Sequence, residues 1–433
     1  MRRYAVVGLG SRAQLFVRAL AKSERAELVA FCDRNRTRMD VHNRWLREGT
    51  GASPVPGYPP GDFAGMLAKE RVDVVVVCTP DHTHADYIVD ALEAGCDVVT
   101  EKPMTTDVEG ARRILRARRR TSRAVTVTFN YRYNPVHRRV RELLAEGAVG
   151  EIGSVQFAWL LDTWHGADYF RRWHREKARS GGLLVHKSGH HFDLVNWWLG
   201  SGPETVFAMG RLFFYGDQNG RRHGQRTGYA RGTGDGESDP FALDLESSPR
   251  LRALYRDAEA EDGYLRDQNV FSPGITIEDD MAVLARYRGA VTLNYHLHAY
   301  SPREGYRVAF TGSKGRIELD VRENEYPFRT GKSIADLPPG VVPEPGRAKL
   351  TLQRHWAPAE VVLDTPLGEG HGGGDERMLA ELLGQRPPDP LGSAADHEAG
   401  LQALLTGLAA NRSMATGRPV RVGELLAEIG EQP

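Results

Sequence analysis

Val6-Val7-Gly8-Leu9-Gly10-Ser11-Arg12-Ala13 opens this chain, and Thr100-Glu101-Lys102-Pro103 answers it far downstream. The first stretch is an apolar strand running into a glycine-rich turn and the small-residue start of a helix. That strand–turn–helix lets backbone amides approach a nucleotide pyrophosphate. The second puts a lysine at the carboxyl end of a later strand, on the rim where such sheets bind ligands. A redox cofactor and an ammonium on one rim point to an enzyme.

Working outward, apolar runs at 4–7, 28–32, 74–78 and 98–99 alternate with helical patterns or turns at 13–22, 37–47, 83–94 and 108–120, and 125–129 closes the series. Continuous apolar strands separated by helices predict an α/β fold with a doubly wound parallel sheet covered on both faces. Pro54-Val55-Pro56-Gly57-Tyr58-Pro59-Pro60-Gly61 reads as a loop. After Asn130 the pattern changes. A helix over 136–145 precedes strand-like runs at 154–161, 205–215, 280–288, 290–300 and 307–311, which predict a second α/β domain with a large, open, mainly antiparallel sheet. The expected division is residues 1–130 and 131–433, with an insertion at about 216–267. The insertion is irregular and Gly/Arg-rich to Asp239, then helical over 248–261, and reads either as a wall near the substrate mouth or as a surface loop. Runs at 378–383 and 394–411 read as helices packed back onto the core.

The 433 residues exceed one ordinary core. Lys plus Arg and Asp plus Glu number 57 each, so no overall basic field recruits nucleic acid or an anionic membrane. The basic run from Arg112 to Arg123 reads as a solvated helix face. Cys32, Cys78 and Cys96 lie at or beside apolar strands, which fits a reducing cytoplasm better than a disulfide framework. The first apolar run is too short for a signal sequence or a membrane span.

In the glycine turn, Gly8 and Gly10 fit the close approach to a pyrophosphate, Ser11 and Arg12 lead into the helix, and Ala13 takes the third small position. Asp33 ends the second strand, where a carboxylate accepts hydrogen bonds from ribose hydroxyls and repels a 2′-phosphate. That favours NAD; Arg34 and Arg38 keep NADP open as the alternative.

These residues, together with Thr79-Pro80 followed by His82 and His84, Glu101-Lys102-Pro103, and Gly181-Gly182 leading to His190 and Asp193, resemble the glucose-fructose oxidoreductase / inositol dehydrogenase / rhizopine-catabolism (Gfo/Idh/MocA) family. The likeness runs along most of the chain and is weakest across 216–267. It implies a Rossmann domain followed by an α/β domain with an open sheet, NAD(P), and Thr79, Pro80, His82, His84, Glu101 and Lys102 on the cofactor side. It also implies Lys102 and His190 as the catalytic lysine and histidine, and a homo-oligomer, dimer or tetramer. Members mostly oxidise or reduce a secondary alcohol of a sugar or cyclitol. Some similar proteins hold NAD tightly and use it transiently to cleave glycosides. Four residues before the histidine the family usually carries an aspartate; here stands His186, with Ser188 in place of a glycine and Lys187 as an added cation.

Alcohol oxidation requires removal of the hydroxyl proton, which a neutral imidazole such as His190 can accept, and an ammonium such as Lys102 stabilises the developing alkoxide. His186 shares a helix face with His190 if 185–199 is one helix, and could relay the proton or bind substrate. Asp193, one turn on, reads as an orienting partner. A metal reading from His165, His174, His186, His190 and His191 competes, but Lys187 would repel a divalent cation, and no metal is expected. The substrate wall is read at Asn130, Tyr131 and Arg132, where the domains meet, and at Trp164, His165, Tyr169, Arg172, Trp173, Lys187 and His191, which combine aromatic faces with hydrogen-bonding and basic groups. Lys187, Arg171 and Arg172 also suit an acidic substituent. His296, His298 and Tyr300 share one strand face and line either the same cleft or the opposite side. The expected function is hydride transfer between a nicotinamide and a secondary alcohol of a sugar, sugar acid or cyclitol; the alternative is an NAD-dependent glycoside hydrolase. A non-catalytic binding protein on the same fold is disfavoured by the joint presence of Lys102 and His190.

Overall fold

The structure, a computed structural model, describes residues 1–236, 239–325, 327, 346–367, 369–387 and 389–432. Six parallel strands form the first sheet: β1 (Arg2–Val7), β2 (Ala26–Cys32), β3 (Gly57–Tyr58), β4 (Val74–Val77), β5 (Asp97–Thr100) and β6 (Val125–Val127), in the order β3-β2-β1-β4-β5-β6. Alternation along β1 and β4 feeds two apolar clusters. Ala5, Val7, Val75 and Val77 join one, while Tyr4, Val6, Val74 and Val76 join the other with Phe16, Val17 and Leu20. Each face is therefore covered, as continuous apolar strands require. Helix ends are capped by side chains, Asn35 accepting from the Arg38 amide at 3.1 Å and Asp107 from the Gly110 amide at 2.7 Å. The basic helix Val108–Thr121 pairs its arginines with acids, Arg112 with Glu109, Arg113 with Asp86 and Arg120 with Glu93.

The proline-rich stretch expected to be pure loop holds β3. Phe31 donates its amide to the Pro56 carbonyl at 3.0 Å, and Asp33 to that of Tyr58 at 3.2 Å. Two residues flanked by prolines are too short to show a strand period, and the partner strand supplies the order.

The second sheet has nine strands among the described residues, adding β7 (Ile152–Asp162), β8 (Pro203–Arg211), β9 (Asp280–Tyr287), β10 (Thr292–Ser301), β11 (Gly305–Gly312), β12 (Gly315–Arg322), β13 (Arg347–Arg354), β14 (Glu360–Pro366) and β15 (Val420–Arg421). Their order is β14-β13-β12-β11-β7-β10-β9-β8-β15, antiparallel except for β7 beside β10. One face buries Val155, Phe157, Trp159, Leu293, Tyr295 and Leu297 against the helices Ser188–Leu199 and His397–Thr416. β8 ends at Arg211 rather than 215. The next amides turn away to the Asp279 carboxylate, Phe213 at 2.7 Å, Phe214 at 2.8 Å and Tyr215 at 2.9 Å. The single helix expected over 185–199 is broken at Lys187 into Leu183–His186 and Ser188–Leu199. Among the described residues no helix is long and apolar enough to cross a membrane.

The insertion, of which Glu237 and Ser238 lie outside the described residues, folds into short helical pieces: Asp217–Arg222, Pro249–Leu251, a wide turn at Arg252–Arg256, and Glu259–Asp262. It does not wave over the surface. Leu243, Leu245, Leu254 and Tyr255 form a cluster with Val41 of the first half of the chain.

Candidate active site

β1 and β4 lie side by side, yet their chain connections run to opposite edges of the sheet. At such a switch point the loops diverge and leave a crevice at the carboxyl ends of the strands. A cleft of about 590 Å³ opens there. Gly8 has φ +82°, and a Cβ on it would meet the Thr79 nitrogen at 2.6 Å and the Cys78 carbonyl carbon at 2.7 Å, so no other residue fits this turn.

One end of the cleft centres on Asp33. Its carboxylate accepts the Leu9 amide at 2.5 Å and the Asn35 amide at 2.8 Å, while burial pushes its pKa upward. Arg38 lies beside it, with Nη1 3.9 Å from Asp33 and 2.6 Å from Asp262 of the insertion, and Nε donating to the Leu254 carbonyl at 3.0 Å. Among the described residues the buried Arg38 Nη2 has no hydrogen-bond partner, and Arg38 is one of the residues lining the cleft, which leaves a donor suited to a ribose oxygen. Arg34 is exposed, 3.4 Å from Asp262. Ser11 donates its amide to the Tyr255 hydroxyl at 3.0 Å. Arg12 lines the cleft but spends its guanidinium on Glu101 at 2.7 Å and Asp375 at 2.9 Å, tying the two halves of the chain together. A glycine turn with an aspartate after the second strand and an unmet donor beside it fits a dinucleotide.

The other end centres on Lys102. Its ammonium lies 3.2 Å from His186 Nε2 and donates to the His186 carbonyl at 3.1 Å. His186 Nδ1 lies 2.5 Å from the buried carboxylate of Asp81. Burial pushes Lys102 down to about 8, with Asp81 and Glu101 opposing. Burial, and then the Lys102 charge, hold the His186 ring well below its usual pKa, so the imidazole is neutral. Burial also raises Asp81. A neutral ring with its proton on the Asp81 side presents Nε2 as an acceptor to Lys102, an assignment that follows from the partners. His190 lines the same cleft, stacked on Tyr131 with ring centroids 4.5 Å apart. Lys187 is buried, its ammonium 3.3 Å from the Tyr131 hydroxyl and 4.8 Å from the Trp159 ring centre; among the described residues it has no carboxylate within ion-pair distance. His165 donates from Nδ1 toward Glu304 at 2.7 Å. Burial would raise Glu304, but His165 and Lys187 hold it below the usual carboxylate range.

Gly8, Gly10, Ser11, Arg12, Asp33, Arg34, Thr79, Pro80, His82, Glu101, Lys102, Asn130, Tyr131, His165, Tyr169, Arg172, Trp173, His186, Lys187 and His190 all line this cleft. Four expected site residues do not. His84 is fully buried, its two ring nitrogens each 2.8 Å from a carbonyl, of Pro103 and Thr79, so it braces both loops instead of touching a ligand. Arg132 is buried in a two-point ion pair with Asp193, at 2.8 and 2.6 Å. His191 is buried under the second sheet, stacked on Trp159 at 4.1 Å and bonded to the Tyr295 hydroxyl at 2.7 Å. Trp164 sits outside the cleft with Arg171 over its ring, and that arginine is spent on the Phe241 carbonyl at 3.0 Å from Nε. His296 likewise faces away, paired with Asp280 at 2.9 Å, because Tyr295, Leu297 and Ala299 take the core face of β10.

Sequence reasoning missed Asp81, Arg179, Tyr255, Tyr264 and the Arg38–Asp262 pair, of which all but Asp262 line the cleft. Asp81 stood within the quoted Thr79–His84 segment, and its place after the fourth strand was the available signal. His174, stacked on Trp173 at 3.6 Å and edge-on to His186 at 4.2 Å, ends the aromatic and basic stretch 162–174 that reads as substrate wall, and it also enters the competing metal reading. Among the described residues no three His, Cys, Asp or Glu side chains are grouped to hold a metal.

A family model described as an oxidoreductase family with an NAD-binding Rossmann fold matches residues 2–129, and one for the same family's C-terminal α/β domain matches 141–422. The oxidoreductase-like protein YteT of Bacillus subtilis (strain 168) is 36% identical over 98% of this chain and 99% of its own length. Inositol 2-dehydrogenase of Rhizobium meliloti (strain 1021) is 28% identical over 48% of this chain and 57% of that enzyme. An oxidoreductase from Agrobacterium radiobacter, solved with NAD+, L-tartaric acid and magnesium, superposes with a TM-score of 0.64 over 98% of this chain and 99% of its own, at 17% identity. The Rossmann domain is thus an NAD-binding one, and the chain belongs to the Gfo/Idh/MocA oxidoreductase family.

Proposed function

We propose that the protein transfers a hydride between NAD and a secondary alcohol of a sugar, sugar acid or cyclitol. The observation that carries this reading is the Lys102 ammonium, held by two contacts to His186 in the cleft that also contains His190 and the glycine turn. Bound NAD supplies the hydride acceptor. Lys102 has three N–H donors; two point at His186, and the third is left for a substrate hydroxyl oxygen. Developing alkoxide charge is stabilised there by a partly desolvated cation. His190 takes the hydroxyl proton as general base. Asp81 and His186 position Lys102, with Asp81 substituting for the aspartate that stands at the His186 position elsewhere in the family. Aromatic faces of Trp173 and Tyr169 suit the C–H surface of a ring, and Arg172 and Lys187 suit an acidic substituent.

A redox-neutral reading is favoured by one observation, the docking of the insertion across the glycine turn. In it a ring alcohol is oxidised, the acidified neighbouring C–H loses its proton as the glycosidic oxygen leaves, water adds, and the carbonyl is reduced again. One experiment separates the two. Sugars, sugar acids and nitrophenyl glycosides are scanned while NADH absorbance and released nitrophenol are both recorded. Stoichiometric NADH supports the first reading, and nitrophenol without NADH the second. Signals indifferent to Lys102 and His190 defeat both. A cytoplasmic oligomer, associated through the outer face of the nine-stranded sheet, completes the proposal.

A further inference from the structure

We propose that residues 245–264, in the insertion between β8 and β9, form a strap that keeps the dinucleotide on the protein between turnovers and bars the form carrying a 2′-phosphate. This rests on the dinucleotide reading of the cleft and goes beyond it, because the residues come from the other half of the chain.

The strap is fastened on both sides of the place a dinucleotide needs. At the glycine turn, the Tyr255 hydroxyl accepts the Ser11 amide at 3.0 Å, and Arg250 reaches the Ser11 carbonyl at 3.3 Å as well as its hydroxyl. Because the Tyr255 oxygen is an acceptor there, its own proton remains to donate to a phosphate oxygen. Beyond the turn, Glu261 accepts the amides of Arg36 at 2.6 Å and Thr37 at 3.0 Å, capping the helix Arg36–Thr50 from outside. Asn35 donates to the Ala258 carbonyl at 2.8 Å. Leu245, Leu254 and Tyr255 add an apolar seal against Val41. A bound dinucleotide therefore leaves only when several of these contacts part together, which slows release without requiring tighter contact with the ligand itself.

The same strap also matches the cation beside the ribose. Left alone, Arg38 would be the natural partner of a 2′-phosphate. Here its guanidinium is already matched by Asp262 at 2.6 Å, with Asp33 3.9 Å away and the Leu254 carbonyl on Nε. Two carboxylates about one guanidinium leave Arg38 no uncompensated charge to offer, and a phosphate placed there meets both. Arg34, the other candidate cation, also leans on Asp262, at 3.4 Å. Asp262, remote in sequence, thus adds to the discrimination that Asp33 begins.

The test uses the full-length protein as purified. Its dinucleotide is counted after denaturation, and release is timed by displacing bound NADH with excess NAD and following the loss of fluorescence. The expected wild-type result is close to one NAD(H) per chain and slow release. Tyr255→Phe, alone and with Glu261→Ala, should speed release by about tenfold or more, the effect of losing hydrogen bonds to charged or phosphate groups. Tyr255→Phe keeps the ring in its apolar cluster and so stays informative should Glu261→Ala fail to fold. Asp262→Ala should raise the affinity for NADP relative to NAD by about tenfold. A wild type that arrives empty and exchanges within the mixing time overturns the retention half, and an unchanged NADP/NAD ratio in Asp262→Ala overturns the selectivity half. A protein that takes up neither dinucleotide would end the cofactor reading itself, a different result from fast but real binding.

Discussion

At the Asp33 end of the cleft, charges are matched: Arg38 between Asp33 and Asp262, Glu261 on helix amides, Arg12 between Glu101 and Asp375. At the Lys102 end, ionisable groups are stripped of water and under-matched. Lys102 is drawn down to about 8, His186 and His174 are held neutral, and Lys187 has an aromatic face and a hydroxyl instead of a carboxylate. Matched charges hold geometry; under-matched ones hold protons loosely enough to be moved. On the proposed function, the first end grips and the second reacts.

The sharpest way to break that contrast is to remove the ammonium. Lys102→Met should lower turnover by about a hundredfold to a thousandfold, since a preorganised donor to the alkoxide is lost, while NAD binding measured by fluorescence persists. Loss of both together would mean that Lys102 belongs to the gripping end. Next in size is a structural effect. Arg132→Met leaves Asp193 buried without its cation and should cost about 3–5 kcal/mol, read from urea unfolding. Restoring much of that stability with a second change, Asp193→Leu, would show that the pair shapes the helix Ser188–Leu199 and does not bind substrate.

A smaller effect is a shift in pH profile. If turnover needs the charged form of Lys102, activity falls as pH rises through about 8. The Asp81 carboxylate raises the Lys102 pKa, so Asp81→Asn should move that falling limb to lower pH, and a limb that stays in place would remove Asp81 from the site's electrostatics. Least of all, Trp164→Ala should change kcat/KM by less than about threefold, because the ring lies outside the cleft. A large loss there would mean the substrate extends past the wall drawn here.

The elements read correctly in advance are those whose signal is local. The turn at Gly8 and Gly10 follows from a strand meeting a helix, the position of Asp33 from the end of the next strand, and β1, β2, β4 and β5 from short apolar runs that the alternating Val125-Thr126-Val127 of β6 closes. The residues missed are joined across long stretches of chain. Ser11 meets Tyr255 across 244 positions, and His186 meets Asp81 across 105. His191 was misread for a related reason. The helix Ser188–Leu199, which carries His190, His191 and Phe192, is buried all round, so periodicity does not say which histidine faces the cleft and which faces Trp159.

What the chain announces by itself is the family, the parallel nucleotide-binding sheet and the lysine on its rim, because each is written in neighbouring residues whose backbone geometry leaves few alternatives. Tertiary structure alone decided that the insertion crosses the glycine turn, that Arg38 is claimed by Asp262, and that a carboxylate absent from the expected position returns as Asp81 beside His186. Those outcomes depend on which distant side chains lose their water together, and burial of that kind has no period along a sequence.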